Sequence, residues 1–228
     1  MYNIWMIEQN ISRIRQRISE ICSSANKEAA DITIVAITKS RPADEVRQAL
    51  QAGITDIGEN KVQEAIVKFN EIGTAHDALR VTWHMVGHLQ TNKVKDAVKI
   101  FDLIQSVDSL RLAEEIDKQA GRINKIQDVL IEIKISPEQA KSGIKPEEAV
   151  QVIERLSRLK NIRAKGLMTI APAVAQAESA RAYFRQLREL RDKIKESSWI
   201  LSMGMSDDFE VAIEEGANMV RLGRAIFD

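Results

Sequence analysis

The chain has 228 residues, 44% hydrophobic and 29% charged, with Lys+Arg and Asp+Glu balanced at 33 each. That is ample for one globular domain with a large core, and it offers neither the concentrated basic surface nor the aromatic platforms that nucleic-acid binding uses. The single cysteine, Cys22, excludes an internal disulfide and suits a reducing cytoplasm, and no run approaches the ~18 apolar residues needed to span a membrane.

The N-terminal stretch "MYNIWMIEQN" has no basic segment and no long apolar core, so it does not read as a signal peptide. Isoleucines then recur at 4, 7, 11, 14, 18 and 21. Alternating steps of three and four predict a helix over 3–22 with one apolar stripe. The stripe covers under three heptads, short for a coiled-coil seam and dimer contact, so packing onto the parent domain is expected.

From residue 32 onward the pattern alternates. Strands are predicted at 32–38, 54–57, 81–86, 100–107, 128–135, 163–170, 199–203 and 218–222. Helices are predicted at 42–52, 60–72, 91–98, 109–120, 146–160, 175–196 and 206–215. Pro42 with Asp44 and Glu45, Pro146 with Glu147 and Glu148, and Ser206 with Asp207 and Asp208 are helix-start chemistry, while Gly53 and Gly216 close helices. No linker divides the chain. Eight strands alternating with helices predict a single α/β domain over 1–228, a (β/α)8 TIM barrel with an additional N-terminal helix. A doubly wound sheet would place glycines in its first turn, and "TKSRPADE" has none.

Barrel sites lie at the C-terminal ends of the strands. The loops after strands seven and eight, "SMGMS" and "LGRA", carry Gly204 and Gly223, where backbone N–H groups can approach an anion, with Ser202 and Ser206 as hydroxyl donors and Arg221 as a fixed charge. Strand one, "ITIVAITKS", ends on Lys39. Such a lysine either escapes to solvent or is placed to react. An imine forms from the neutral amine, of which a free lysine has only about 0.1% at physiological pH, so a reactive Lys39 is expected to be desolvated near a cation such as Arg221. A reactive lysine facing a phosphate site points to an aldehyde that carries a phosphate, and pyridoxal 5'-phosphate is the economical candidate.

The segments "AITKS", "IGENKVQEA", "WHMVGHLQTNK", "QSVD", "KSG", "GLMTIAP" and "LSMGMSDDFEVAIEEGANMVRLGRAIF" resemble the YggS/PROSC family of pyridoxal phosphate homeostasis proteins from about residue 32 to the C-terminus. The resemblance implies the barrel of the alanine racemase N-terminal domain. It implies a cofactor held as a Schiff base on Lys39, and a role in vitamin B6 and amino-acid/keto-acid balance without established turnover. Apo forms of pyridoxal-phosphate enzymes are the partners it suggests. The chain departs from the family pattern at Thr38, where serine is usual, at Lys61 in place of tyrosine, within 133–140, and at the final "IFD".

The remaining polar residues read as follows. His84 and His88 are four apart but lack the glutamate and the helix of a zinc motif, so no metal site is expected; His84 suits a ring or water contact, or a satisfied strand end. Asn60 suits a helix N-cap or, from its place in "GEN", a cofactor contact. Arg221 fits either beside the phosphate or under the pyridine nitrogen. The expected binding set is Lys39, Asn60, His84, Ser202, Gly204, Ser206, Arg221 and Gly223, with no catalytic residue. Two enzymatic alternatives are an amino-acid racemase and a cofactor-free Schiff-base aldolase. The only tyrosines, Tyr2 and Tyr183, fall at no strand end, which disfavours two-base racemisation.

Overall fold

A computed structural model describes residues 2–25, 27–73, 75–76, 79–136, 142–172 and 176–228. Eight parallel strands form a closed barrel: β1 Thr33–Ile37, β2 Asp56–Glu59, β3 Thr82–Met85, β4 Leu103–Val107, β5 Gln127–Glu132, β6 Ile162–Met168, β7 Ile200–Ser202 and β8 Met219–Leu222. Each strand pairs with its neighbours in sequence, and β1 closes on β8 with Val35 opposite Arg221. The outer layer is α1 Tyr2–Ser24, α2 Ala43–Gln51, α3 Val62–Ile72, α4 Val94–Ile100, α5 Leu110–Gly121, α6 Ala149–Leu156, α7 Arg181–Ile194, α8 Phe209–Glu214 and the short α9 Arg224–Phe227. The expected (β/α)8 barrel with an extra N-terminal helix is the observed fold. Among the described residues no helix is long and apolar enough to cross a membrane.

Helix α1 packs against α2, α8 and α9, and Ile7, Ile11, Ile14, Ile18 and Ile21 are buried there together with Cys22. The isoleucine stripe therefore seals the flank of the barrel. Burying five isoleucines stabilises that junction by roughly 1.5–3 kcal/mol each.

Boundaries differ from the sequence expectation where side chains compete with the backbone. The helix expected from 206 begins at Phe209. The Asp208 carboxylate accepts from the Met205 N–H at 2.6 Å, and the Ser206 hydroxyl accepts from the Ala225 N–H at 3.1 Å, so this segment is a loop. Strand β5 stops at Glu132, because Ile133 turns to bridge Ile144. Helix α7 is preceded by a 3-10 turn, Ala177–Ala180, and ends where Lys195 takes the left-handed conformation at φ 64°. A two-stranded ribbon, Ala75–His76 with Leu79–Arg80, and α9 had no sequence signal.

Side chains on a strand alternate between faces. On β1, Val35 joins Leu103, Leu130, Met168 and Met219 inside the barrel, whereas Ala36 belongs to the core between barrel and helices. Gly58 of β2 also faces inward. A Cβ there would sit 2.6 Å from Ile37 Cδ1 and 3.0 Å from Val35 Cγ1. Gly58→Ala is therefore expected to destabilise the protein by about 1–3 kcal/mol through overpacking. An unchanged urea midpoint would mean that the interior has room at this point.

Candidate cofactor site

Counting by twos along β1 puts Lys39 on the same face as Val35 and Ile37. It rises from the strand end into a cavity of about 370 Å³ at the C-terminal mouth of the barrel, lined also by Asn60, His88, Glu132, Lys134, Ile170, Met205 and Arg221. Lys39 is exposed at this mouth rather than buried, so the desolvation expected of it is not supplied by the surrounding protein. Asn60 faces the same cavity. Its N-cap reading is corrected: Lys61 occupies the N-cap of α3 and makes no side-chain capping bond there. Lys61 instead pairs with Glu64 at 3.0 Å on the surface.

Arg221 forms part of the floor and is 4% exposed. One guanidinium nitrogen donates to Ser202 Oγ at 2.6 Å and the other to the Thr169 carbonyl at 2.8 Å, which fixes the plane of the fork. Five N–H groups are available, so two anchoring bonds do not exhaust it. Burial lowers its pKa to about 10, against the charges of Glu132 and Asp208, so it stays protonated at neutral pH.

Beneath Arg221 a polar chain crosses the barrel. The Ser202 hydroxyl donates to Gln105 Oε1 at 2.6 Å, and Gln105 Nε2 donates to His84 Nδ1 at 2.9 Å. His84 Nε2 then lies 2.9 Å from Asp56 Oδ1. This network fixes Nδ1 as the acceptor and Nε2 as the donor. His84 and Ser202 thus lie one layer below the cavity lining and act on it through Arg221. His88 stands apart from His84, at the rim, with Nδ1 3.1 Å from Asp108 Oδ2. Among the described residues no three His, Cys, Asp or Glu side chains are grouped to hold a metal.

The two loops flagged from sequence meet beside this floor. Gly204 has φ +92°, and a Cβ there would meet Ala212 Cβ at 2.6 Å, so glycine is required by both backbone and space. Ser206 joins the loops through its bond to the Ala225 N–H. A Cβ at Gly223 would meet Ile37 only at ordinary contact distance, so space does not demand glycine there, and the residue opens α9. Residues 137–140 of the altered segment lie outside the described residues, while Ser136 and Ser142 on either side line the cavity.

Sequence reasoning passed over Glu132. It shares the inward face of β5 with Leu130 and lies within the cavity wall, 9% exposed. Burial, then the nearby Asp108 charge, pushes its carboxyl up to about 7, against the opposing pull of Arg221 and His88. Period-two counting from an inward Leu130 would have found it.

These features define a class. The model of the alanine racemase N-terminal domain matches residues 7–228. At the level of individual relatives, the chain is 40% identical to the pyridoxal phosphate homeostasis protein of Aquifex aeolicus, covering 96% of each chain. It is 37% identical to that of Pseudomonas aeruginosa over 97% of this chain and 94% of the relative. The structure of PipY from Synechococcus elongatus with pyridoxal phosphate bound superposes with a TM-score of 0.81 at 35% identity, covering 92% of this chain and all of PipY. The chain belongs to the pyridoxal phosphate homeostasis protein family.

Proposed function

We propose that this protein binds pyridoxal 5'-phosphate as a Schiff base on Lys39 and serves vitamin B6 and amino-acid/keto-acid homeostasis in the cytoplasm as a monomeric, non-catalytic carrier. The observation that carries the reading is a lysine projecting from β1 into the same cavity as a buried, fixed arginine. The cavity volume is at the lower end of the range usual for small ligands. The donor set also fits: an amine for the carbonyl carbon, a guanidinium, the Asn60 amide, and the Gly204–Ser206 and Gly223 loops for phosphate oxygens. Bound there, pyridoxal phosphate supplies an electrophilic aldehyde and a conjugated ring. Lys39 contributes the nucleophilic amine, Glu132 a carboxylate that can take its proton, and Arg221 a permanent positive charge. His84 and Ser202 contribute by holding Arg221 in place. Release to apo-enzymes would require water to cleave the bond to Lys39, returning the aldehyde and the amine, and the loss of the phosphate contacts.

The racemase reading needs a second base, and Tyr183 packs on the outer helical core instead of the cavity. The aldolase reading requires a colourless protein. Visible absorbance of the purified protein, borohydride reduction with peptide mapping, and chiral chromatography after incubation with L-alanine test all three. A colourless protein whose Lys39 is trapped only with an added carbonyl substrate would favour the aldolase, and turnover lost in Lys39→Ala would favour the racemase.

Arg221→Gln is expected to weaken retention of pyridoxal phosphate more than that of pyridoxal, on the order of tenfold to a hundredfold, because a charge-assisted bond to a desolvated phosphate contributes about 1.5–3 kcal/mol. Equilibrium dialysis of both ligands measures it. Equal losses would put Arg221 under the ring nitrogen, where a guanidinium that keeps its proton holds that atom unprotonated.

A further inference from the structure

Directly behind the strand that ends in Lys39 is a buried ion pair that the cavity does not contain. Lys68 of α3 is 7% exposed and Glu59 of β2 is fully buried. The Lys68 ammonium donates to Glu59 Oε1 at 2.5 Å and also to the backbone carbonyl of Thr38 at 2.5 Å. The Thr38 hydroxyl donates to the same Glu59 oxygen at 2.5 Å. Both polar arms of the residue before Lys39 are therefore tied to one buried pair.

The same carbonyl closes a turn. It accepts from the Arg41 N–H at 3.0 Å, so Thr38–Arg41 is a four-residue turn with Lys39 second and Ser40 third. Ser40 has φ +60°, a left-handed conformation that glycine or asparagine adopts with least cost. A serine persists there only where its surroundings over-determine the backbone. Helix α3 supplies that constraint at two points on one face: Lys68 holds the carbonyl of Thr38, and Glu64 accepts from the Ser40 N–H at 3.4 Å.

Stability is a poor explanation for the pair. A buried ion pair recovers its desolvation cost only with good geometry and full satisfaction, and packed apolar residues often do as well. Here Glu59 Oε2 is buried without a hydrogen-bond partner among the described residues. Lys39 itself carries a flexible four-carbon stem, so its direction of entry is set by the backbone from which it springs.

We propose that Lys68 and Glu59 are positioning residues that clamp the Thr38–Arg41 turn and thereby aim the Lys39 amine into the cavity. This rests on the reading of Lys39 as the cofactor lysine. The clamp matters for bond formation at the amine and leaves ring and phosphate contacts alone. It therefore separates two ligands: pyridoxal 5'-phosphate, and pyridoxine 5'-phosphate, which has the same ring and phosphate but an alcohol in place of the aldehyde.

The variants are Lys68→Met and the double variant Lys68→Met with Glu59→Gln, which removes both charges and keeps the test alive should the lone Glu59 unfold the single variant. Thr38→Ser, which retains the hydroxyl, is the conservative control. Pyridoxal phosphate is titrated by its imine absorbance and pyridoxine phosphate by competition, with thermal unfolding of each ligand-free protein as the folding check. The variants are expected to lose pyridoxal phosphate on the order of tenfold to a hundredfold while pyridoxine phosphate changes by less than about twofold, and Thr38→Ser to keep the wild-type ratio. Equal losses for both ligands, or no loss, would overturn the clamp. A wild-type protein that gives no borohydride adduct on Lys39 is a different result, which removes the cofactor reading and the clamp together.

Discussion

Lys39→Ala is expected to abolish the imine absorbance completely and leave the fold intact. No carbon–nitrogen bond can form without the ε-amine. The fold survives because Lys39 is an exposed residue beyond the end of β1, so little packing is lost. The backbone of the turn is held at Thr38, Ser40 and Arg41 by bonds that do not use the Lys39 side chain. Residual affinity for the phosphate should persist, since Arg221 and the Gly204–Ser206 loop remain. The measurements are visible absorbance, peptide mapping after borohydride reduction, and thermal unfolding without added cofactor. A Lys39→Ala protein that is still yellow, or a wild-type adduct mapping to Lys61 or Lys93, would identify another lysine. A collapsed melting transition would make Lys39 a structural residue.

Glu132→Gln is expected to stabilise the ligand-free protein at alkaline pH relative to acid pH, by roughly 3 kcal/mol in the wild-type-minus-variant difference. The Glu132 carboxyl is raised from 4.5 to about 7 by burial and by Asp108. A carboxyl that titrates higher in the folded state contributes stability that is fully present below its unfolded pKa and is lost as pH rises through its folded pKa. The window is therefore pH 4.5 to about 7, and about 2.5 units at 1.36 kcal/mol each set the magnitude. Glutamine has the same shape and cannot ionise, so other titrating groups cancel in the difference. Urea denaturation of both proteins at pH 4.5, 6 and 8 measures it. Parallel stability profiles would show that Glu132 is solvated and that its proton is not held by the cavity.

Local pattern carried the architecture. A continuous Val/Ile run, a 3.6-residue isoleucine stripe and paired helix-start residues are written in consecutive positions, and each reports on the burial of its own element. Lys39, Arg221 and Gly204 were legible for the same reason: a barrel's strand ends form one rim, so position along a strand is enough to place them there. The depth of a residue below that rim was not legible. His84 and Ser202 were expected at the ligand, yet closure of the barrel sets them beneath Arg221, where Gln105 and Asp56 complete a chain across the interior. Whether a strand residue points inward depends on register, and register is settled only when eight strands close on one another. Glu132 illustrates a further limit, since its raised pKa comes from burial and from Asp108 just past the end of the neighbouring strand, neither of which its own segment encodes. Lys68, Glu59 and Thr38 are 30, 9 and 21 residues apart in their pairings, and each alone reads as an ordinary helix or strand residue. Only the packing of α3 onto the ends of β1 and β2 removes water from all three at once and turns a surface-type ion pair into a clamp on the backbone next to Lys39.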